Sequence, residues 1–131
     1  MVQTAKTFLT VLVVDDYADS RTMFRRLMEA RGCAVAEAAD GEAAVEAARR
    51  ARPDLILLDL NMPRVDGLEA AHRIRELKGI FRDVPIIAIT AFDTYGMKEA
   101  ALEAGCDDYL TKPLDINDFD RTLKHLLPLW F

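Results

Sequence analysis

The sequence predicts an α/β domain, a doubly wound parallel sheet built in the order (βα)5, and three features carry that prediction. Short apolar runs alternate with stretches of helical period along the whole chain. The runs Val11-Leu12-Val13-Val14, Leu55-Ile56-Leu57-Leu58 and Ile86-Ile87-Ala88-Ile89 are almost continuously apolar. Such strands are buried on both faces, which right-handed crossover helices on either side of the sheet supply. Four of the runs also end on a reactive group: Asp15-Asp16, Asp59, Thr90, and Lys112 after Tyr109-Leu110-Thr111. In a parallel sheet these carboxyl ends lie side by side, so three acids, a hydroxyl and an ammonium meet in one crevice. That combination points to phosphate transfer.

The elements follow in order. The first strand spans about Phe8 to Val14. Met23, Phe24, Leu27 and Met28 then give an i, i+4 stripe, closed by Gly32 in the position just past a helix end. Ala34 to Ala38 is a second, alanine-rich strand. Asp40 caps a helix whose stripe is Ala44, Val45, Ala48 and Ala51 and which ends before Pro53. Leu55 to Leu58 is the third strand. The third helix spans about Gly67 to Leu77, with Leu68, Ala71 and Ile74 inward, and the fourth strand spans Pro85 to Ile89. Met97, Ala100, Ala101 and Ala104 mark a fourth helix ended by Gly105. A short fifth strand, Asp108 to Thr111, precedes a last helix from Asp115 with Phe119, Leu123, Leu126 and Leu127 on one face.

With 131 residues, 51% hydrophobic and 30% charged, the chain can bury a core without disulfides or a structural metal. It reads as one domain over 1–131, with a core of about 8–127 and a tail of 1–7. Seventeen basic against twenty-two acidic residues leave a net charge of −5, which speaks against broad binding to nucleic acid or anionic membrane. No apolar run approaches the ~20 residues that span a bilayer, and the start of the chain lacks the apolar middle of a secretory signal, so a cytoplasmic location is expected. Cys33 and Cys106 lack a nearby partner and read as buried thiols; His72 and His125 lack a second ligand at helical spacing.

The motifs Val14-Asp15-Asp16, Leu58-Asp59-Leu60-Asn61-Met62-Pro63, Asp66-Gly67, Thr90-Ala91 and Asp107-Asp108-Tyr109-Leu110-Thr111-Lys112-Pro113 stand in one order at compatible spacing. Together they resemble the receiver domain of two-component response regulators, over about Phe8 to Leu127. The resemblance implies the flavodoxin-like strand order 2-1-3-4-5, with the crevice between strands 1 and 3. It implies Asp59 as phosphoacceptor, a Mg²⁺ site at Asp15, Asp16, Asp59 and the backbone carbonyl of Asn61, and phosphoryl contacts from Thr90 and Lys112. It further implies a switch formed by Thr90 and Tyr109, and a cis peptide at Lys112-Pro113. The phosphoryl donor is then a sensor histidine kinase or phosphotransfer protein. The output passes through the face of helix 4, strand 5 and helix 5 to a partner or a missing effector domain, with a phosphorylation-dependent dimer left open. Such a module catalyses its own phosphorylation and dephosphorylation and is not a turnover enzyme.

The chemistry fits those roles. An acyl phosphate forms only where the charge between carboxylate and phosphoryl oxygens is offset. Mg²⁺, for which Mn²⁺ can substitute, is a hard cation that suits oxygen donors; Asp16, Asp59 and the Asn61 carbonyl are the expected direct ligands, with Asp15 acting through water. Lys112 adds a point charge and Thr90 a hydroxyl. Phe92, two residues past Thr90, either shields the acyl phosphate or packs on helix 4. Two other readings stay open at this level. Haloacid-dehalogenase-like phosphatases use the same groups but carry the nucleophile in Asp-x-Asp after strand 1, and a degenerate receiver would keep the cluster as an interaction module without phosphorylation. A P-loop is absent from the sequence. The apolar end Leu129-Trp130-Phe131 either packs on the last helix or leads toward an effector.

Overall fold

The computed structural model describes residues 7–62, 65–77 and 79–131. Five strands form one parallel sheet: β1 (Thr10–Val14), β2 (Ala34–Ala38), β3 (Leu55–Asp59), β4 (Ile86–Thr90) and β5 (Asp108–Thr111), in the order β2-β1-β3-β4-β5. The helices are α1 (Ala18–Glu29), α2 (Gly41–Ala51), α3 (Gly67–Glu76), α4 (Met97–Glu103) and α5 (Ile116–Leu126). Chain order reverses between β1 and β3, which leaves the crevice between their carboxyl ends. The flavodoxin-like doubly wound fold is thus the observed one.

Strand alternation sorts the apolar residues onto two interiors. Leu12, Val14, Ile56, Leu58, Ile86 and Ala88 face α2, α3 and α4, packing with Ala44, Ala48, Ala71 and Ile74. Val11, Val13, Leu55, Leu57, Ile87 and Ile89 face α1 and α5, packing with Phe24, Met28, Phe119 and Leu123. Phe24 and Phe119 meet edge to face with ring centroids 6.4 Å apart. Leu55 to Leu58 are at most 1% exposed, so β3 is the fully enclosed spine, each of these four apolar side chains contributing about 1.5–3 kcal/mol by burial.

Helix ends follow local chemistry. Asp40, Asp66 and Asp115 cap α2, α3 and α5 by accepting backbone N–H bonds. Gly32 takes φ +82 past α1, and Arg52 takes φ +47 after α2, ahead of a proline that disfavours a further helical residue. Several expected details differ. β1 begins at Thr10: Phe8 is 49% exposed and lies before the ladder. β4 begins at Ile86, because Pro85 has no N–H to offer and enters only as an acceptor, taking the Ile56 N–H at 2.9 Å. Met23 is exposed although it fits the α1 stripe; Phe24 and Met28 carry the burial. A 3-10 turn at Ile80–Arg82, which no periodicity marked, precedes β4. Of the apolar end, Phe131 packs onto the α1/α5 interior, while Leu129 and Trp130 are exposed. The expected tail, apart from Thr7, and Pro63 of the Asp59 motif lie outside the described residues.

Candidate functional site

Asp15 directly follows β1 and is 1% exposed, with its N–H bonded to the Ala38 carbonyl at 3.1 Å. Its carboxylate is richly held. Oδ1 accepts from the Tyr17 N–H at 2.9 Å, and Oδ2 accepts from the Ser20 hydroxyl at 2.6 Å and the Lys112 ammonium at 2.9 Å. Arg21 donates to the Asp15 carbonyl at 2.9 Å. Asp16, next in the chain, is exposed. Asp59 is the last residue of β3, in register with Ile89, and its Oδ1 accepts from the Asn61 N–H at 3.0 Å. Carboxylate oxygens of Asp15, Asp16 and Asp59 lie within 4.8 Å of one another.

Gly67 explains how α3 can start so close to the loop after Asp59. A Cβ there would sit 2.4 Å from the Asp59 carbonyl oxygen, so only glycine allows the approach. Thr90 ends β4 fully buried; its hydroxyl accepts from the Phe92 N–H at 3.0 Å and from the Asn61 side-chain amide. Lys112, one residue beyond β5, donates its N–H to the Thr90 carbonyl at 2.8 Å and extends its ammonium across the crevice to 3.8 Å from Asp59 Oδ2. The Lys112-Pro113 peptide is cis. Burial is the largest force on the Asp59 carboxyl, raising its pKa from 3.8 to about 6; the Asn61 N–H and Lys112 pull it down, and Asp15 and Asp16 push it up.

The chain is similar to known proteins over most of its length. Residues 11–124 match the response regulator receiver domain. The chain belongs to that family. The polar-differentiation response regulator DivK of Brucella anthropi is 36% identical over 118 residues, 90% of this chain and 95% of DivK. Response regulator MprA of Mycobacterium leprae is 40% identical over 119 residues, and there the match spans 91% of this chain but 51% of MprA. The receiver domain of the sensor histidine kinase PA1611 from Pseudomonas aeruginosa superimposes with a TM-score of 0.83 at 36% identity, covering 93% of this chain and 99% of that one; it carries a magnesium ion in its active site cleft.

In this receiver Asp15, Asp16, Asp59, Thr90 and Lys112 converge as the strand ends predict, whereas Tyr109 stands apart from the acids. Its hydroxyl donates to Asp93 Oδ1 at 2.9 Å, and its ring packs against the α2/α3/α4 interior. Partial burial and the Asp93 carboxylate raise its phenol to about 12. Phe92 is 62% exposed, and its N–H donates to the Thr90 hydroxyl at 3.0 Å. Cys33 and Cys106 are buried thiols, and burial pushes Cys106 up to about 12. Sequence reasoning missed Ser20, the Asn61 side chain and Asp93. Their partners lie 5, 29 and 16 residues away, and only Ser20 sits close enough to its motif to have been suspected. No helix among the described residues is long and apolar enough to cross a membrane.

Proposed function

We propose that Asp59 accepts a phosphoryl group from the phosphohistidine of a sensor histidine kinase or phosphotransfer protein and that the resulting acyl phosphate switches the α4/β5/α5 face. What supports this reading is the meeting of a buried, partly desolvated carboxylate with Lys112, Thr90 and two further acids at one sheet edge. An Asp59 oxygen bonds to phosphorus as the phosphorus–nitrogen bond of the donor imidazole breaks, and the imidazole leaves with the electron pair. Lys112 offers charge to the transferred oxygens and Thr90 a hydroxyl donor.

The donor set fits Mg²⁺: oxygen ligands only, all close together, two of the three acids buried. Asp16, Asp59 and the Asn61 carbonyl are the proposed direct ligands. Asp15, whose oxygens already take three donors, acts through water. When bound, the cation offsets repulsion among the acids and polarises the phosphoryl oxygens, a task Mn²⁺ can also perform. Incubation of the full chain with acetyl phosphate and Mg²⁺ is expected to add one phosphoryl group, located on the Asp59 peptide by mass spectrometry, and chelation is expected to prevent it. Labelling of a different residue, or none, would refute the assignment.

For the switch, the Thr90 hydroxyl is proposed to leave its Phe92 and Asn61 contacts for the phosphoryl oxygens, freeing Tyr109 to turn from Asp93. Thr90→Ala should retain some Asp59 labelling yet weaken the response of the Tyr109 and α4 amides to a beryllofluoride mimic. Amide NMR in wild type and variant checks this; equal responses would exclude the coupling. The switched face is proposed to act on an output partner or an effector domain, with a phosphorylation-dependent dimer as one route.

A further inference from the structure

We infer that Ser20 is a positioning residue for the acceptor reaction, setting where the Lys112 ammonium stands relative to Asp59 by fixing the plane of the Asp15 carboxylate. The inference rests on Asp59 as the acceptor, though its geometry stands without it. The start of α1 supplies two donors, and each takes one Asp15 oxygen: the Tyr17 N–H on Oδ1 at 2.9 Å and the Ser20 hydroxyl on Oδ2 at 2.6 Å. A carboxylate gripped at both oxygens cannot rotate about its last torsion, which is otherwise broad. The second lone pair of Oδ2 then points in one direction, and that is where the Lys112 ammonium sits, at 2.9 Å.

Lys112 needs such a guide. Its flexible four-carbon stem is ordered only at an entropic cost, and its side chain is 23% exposed. The other acid within reach, Asp59, is 3.8 Å away, too far for a hydrogen bond. The oxygen shared with Ser20 is therefore what locates the cation. Asp15 itself is held at both ends of its backbone, with its N–H on Ala38 and its carbonyl taken by Arg21. Rotation of its carboxylate is the freedom left, and Ser20 removes it.

The test uses the full chain without metal or phosphodonor. The ¹⁵N–¹H signal of the Lys112 ammonium, at low temperature and mildly acid pH, is expected to be resolved in wild type. It should broaden beyond detection in Ser20→Ala and return in Ser20→Thr, which keeps the hydroxyl. A purely structural serine would leave that signal unchanged, and an unchanged signal in Ser20→Ala overturns the inference. In a second arm, the rate of Asp59 labelling by acetyl phosphate should fall roughly tenfold in Ser20→Ala and recover in Ser20→Thr. An undiminished rate in Ser20→Ala likewise overturns it. If wild type itself takes no label, the acceptor reading fails and the ammonium signal alone decides the role of Ser20.

Discussion

Asp59→Asn is expected to abolish labelling by acetyl phosphate while making the metal-free protein more stable at neutral pH. The two effects have one origin. The folded chain raises the Asp59 carboxyl from 3.8 to about 6, chiefly by burying it. Between those values the native state keeps a proton that the unfolded chain has released, so stability falls as pH rises through this window. Above about pH 6 the whole penalty is present, roughly 1–3 kcal/mol. Asparagine cannot ionise and still offers an acceptor to the Asn61 N–H. Thermal scans from pH 4 to 8 in chelator should therefore show the variant melting several degrees higher near pH 7.5 and converging with wild type near pH 4. Stabilisation by added Mg²⁺ should shrink in the variant. A less stable Asn variant at pH 7.5 would mean that the carboxylate is satisfied where it stands.

Arg75→Ala should be the most destabilising single change outside the apolar interior, by about 3 kcal/mol or more. The guanidinium lies at the end of α3 and is 17% exposed. It donates to the carbonyls of Phe81 at 2.8 Å, Val84 at 2.7 Å and Gly105 at 2.7 Å, and to Asp107 Oδ2 at 2.9 Å. Asp107 in turn accepts the Ile86 N–H at 2.8 Å. Removing the side chain strands those acceptors and frees the segment before β4 from the turn between α4 and β5. Gly105 shows how tight the fit is: a Cβ there would meet Arg75 Cγ at 2.7 Å, and its φ is +109. Arg75→Lys should recover only a small part, since one ammonium cannot span a fork of acceptors. Urea unfolding at constant m-value measures the loss; a cost below about 1 kcal/mol would show the network to be replaceable by water.

Arg75 also marks the boundary of what the sequence could reveal. The apolar spine of β3 and the acids after β1 and β3 were legible because strand burial and strand ends have local signatures. The strand order has none, and it came through motif resemblance. Arg75 reads as an ordinary basic residue near a helix end, for its partners lie up to 32 residues away. The same holds for the Asn61 amide on Thr90 and the Tyr109 hydroxyl on Asp93, whose pairing depends on loop paths rather than on period. Met23 failed for the opposite reason: it fits a helical stripe, yet it stands exposed while Phe24 and Met28 beside it fill the space beneath α1.

Leu57 and Leu58 are adjacent in the chain yet belong to different interiors, the first beneath α1 and α5, the second beneath α2, α3 and α4. The protein is in this sense a laminate, two separately packed half-cores glued to the faces of one hydrogen-bonded sheet. Substitutions on opposite faces disturb different sets of core side chains, and those well separated along the sheet have costs that add. Such a chain can be remodelled by descent or by design on the side that carries α4 while the side that carries α1 keeps its old shape, provided the strand ends with their acids are left alone.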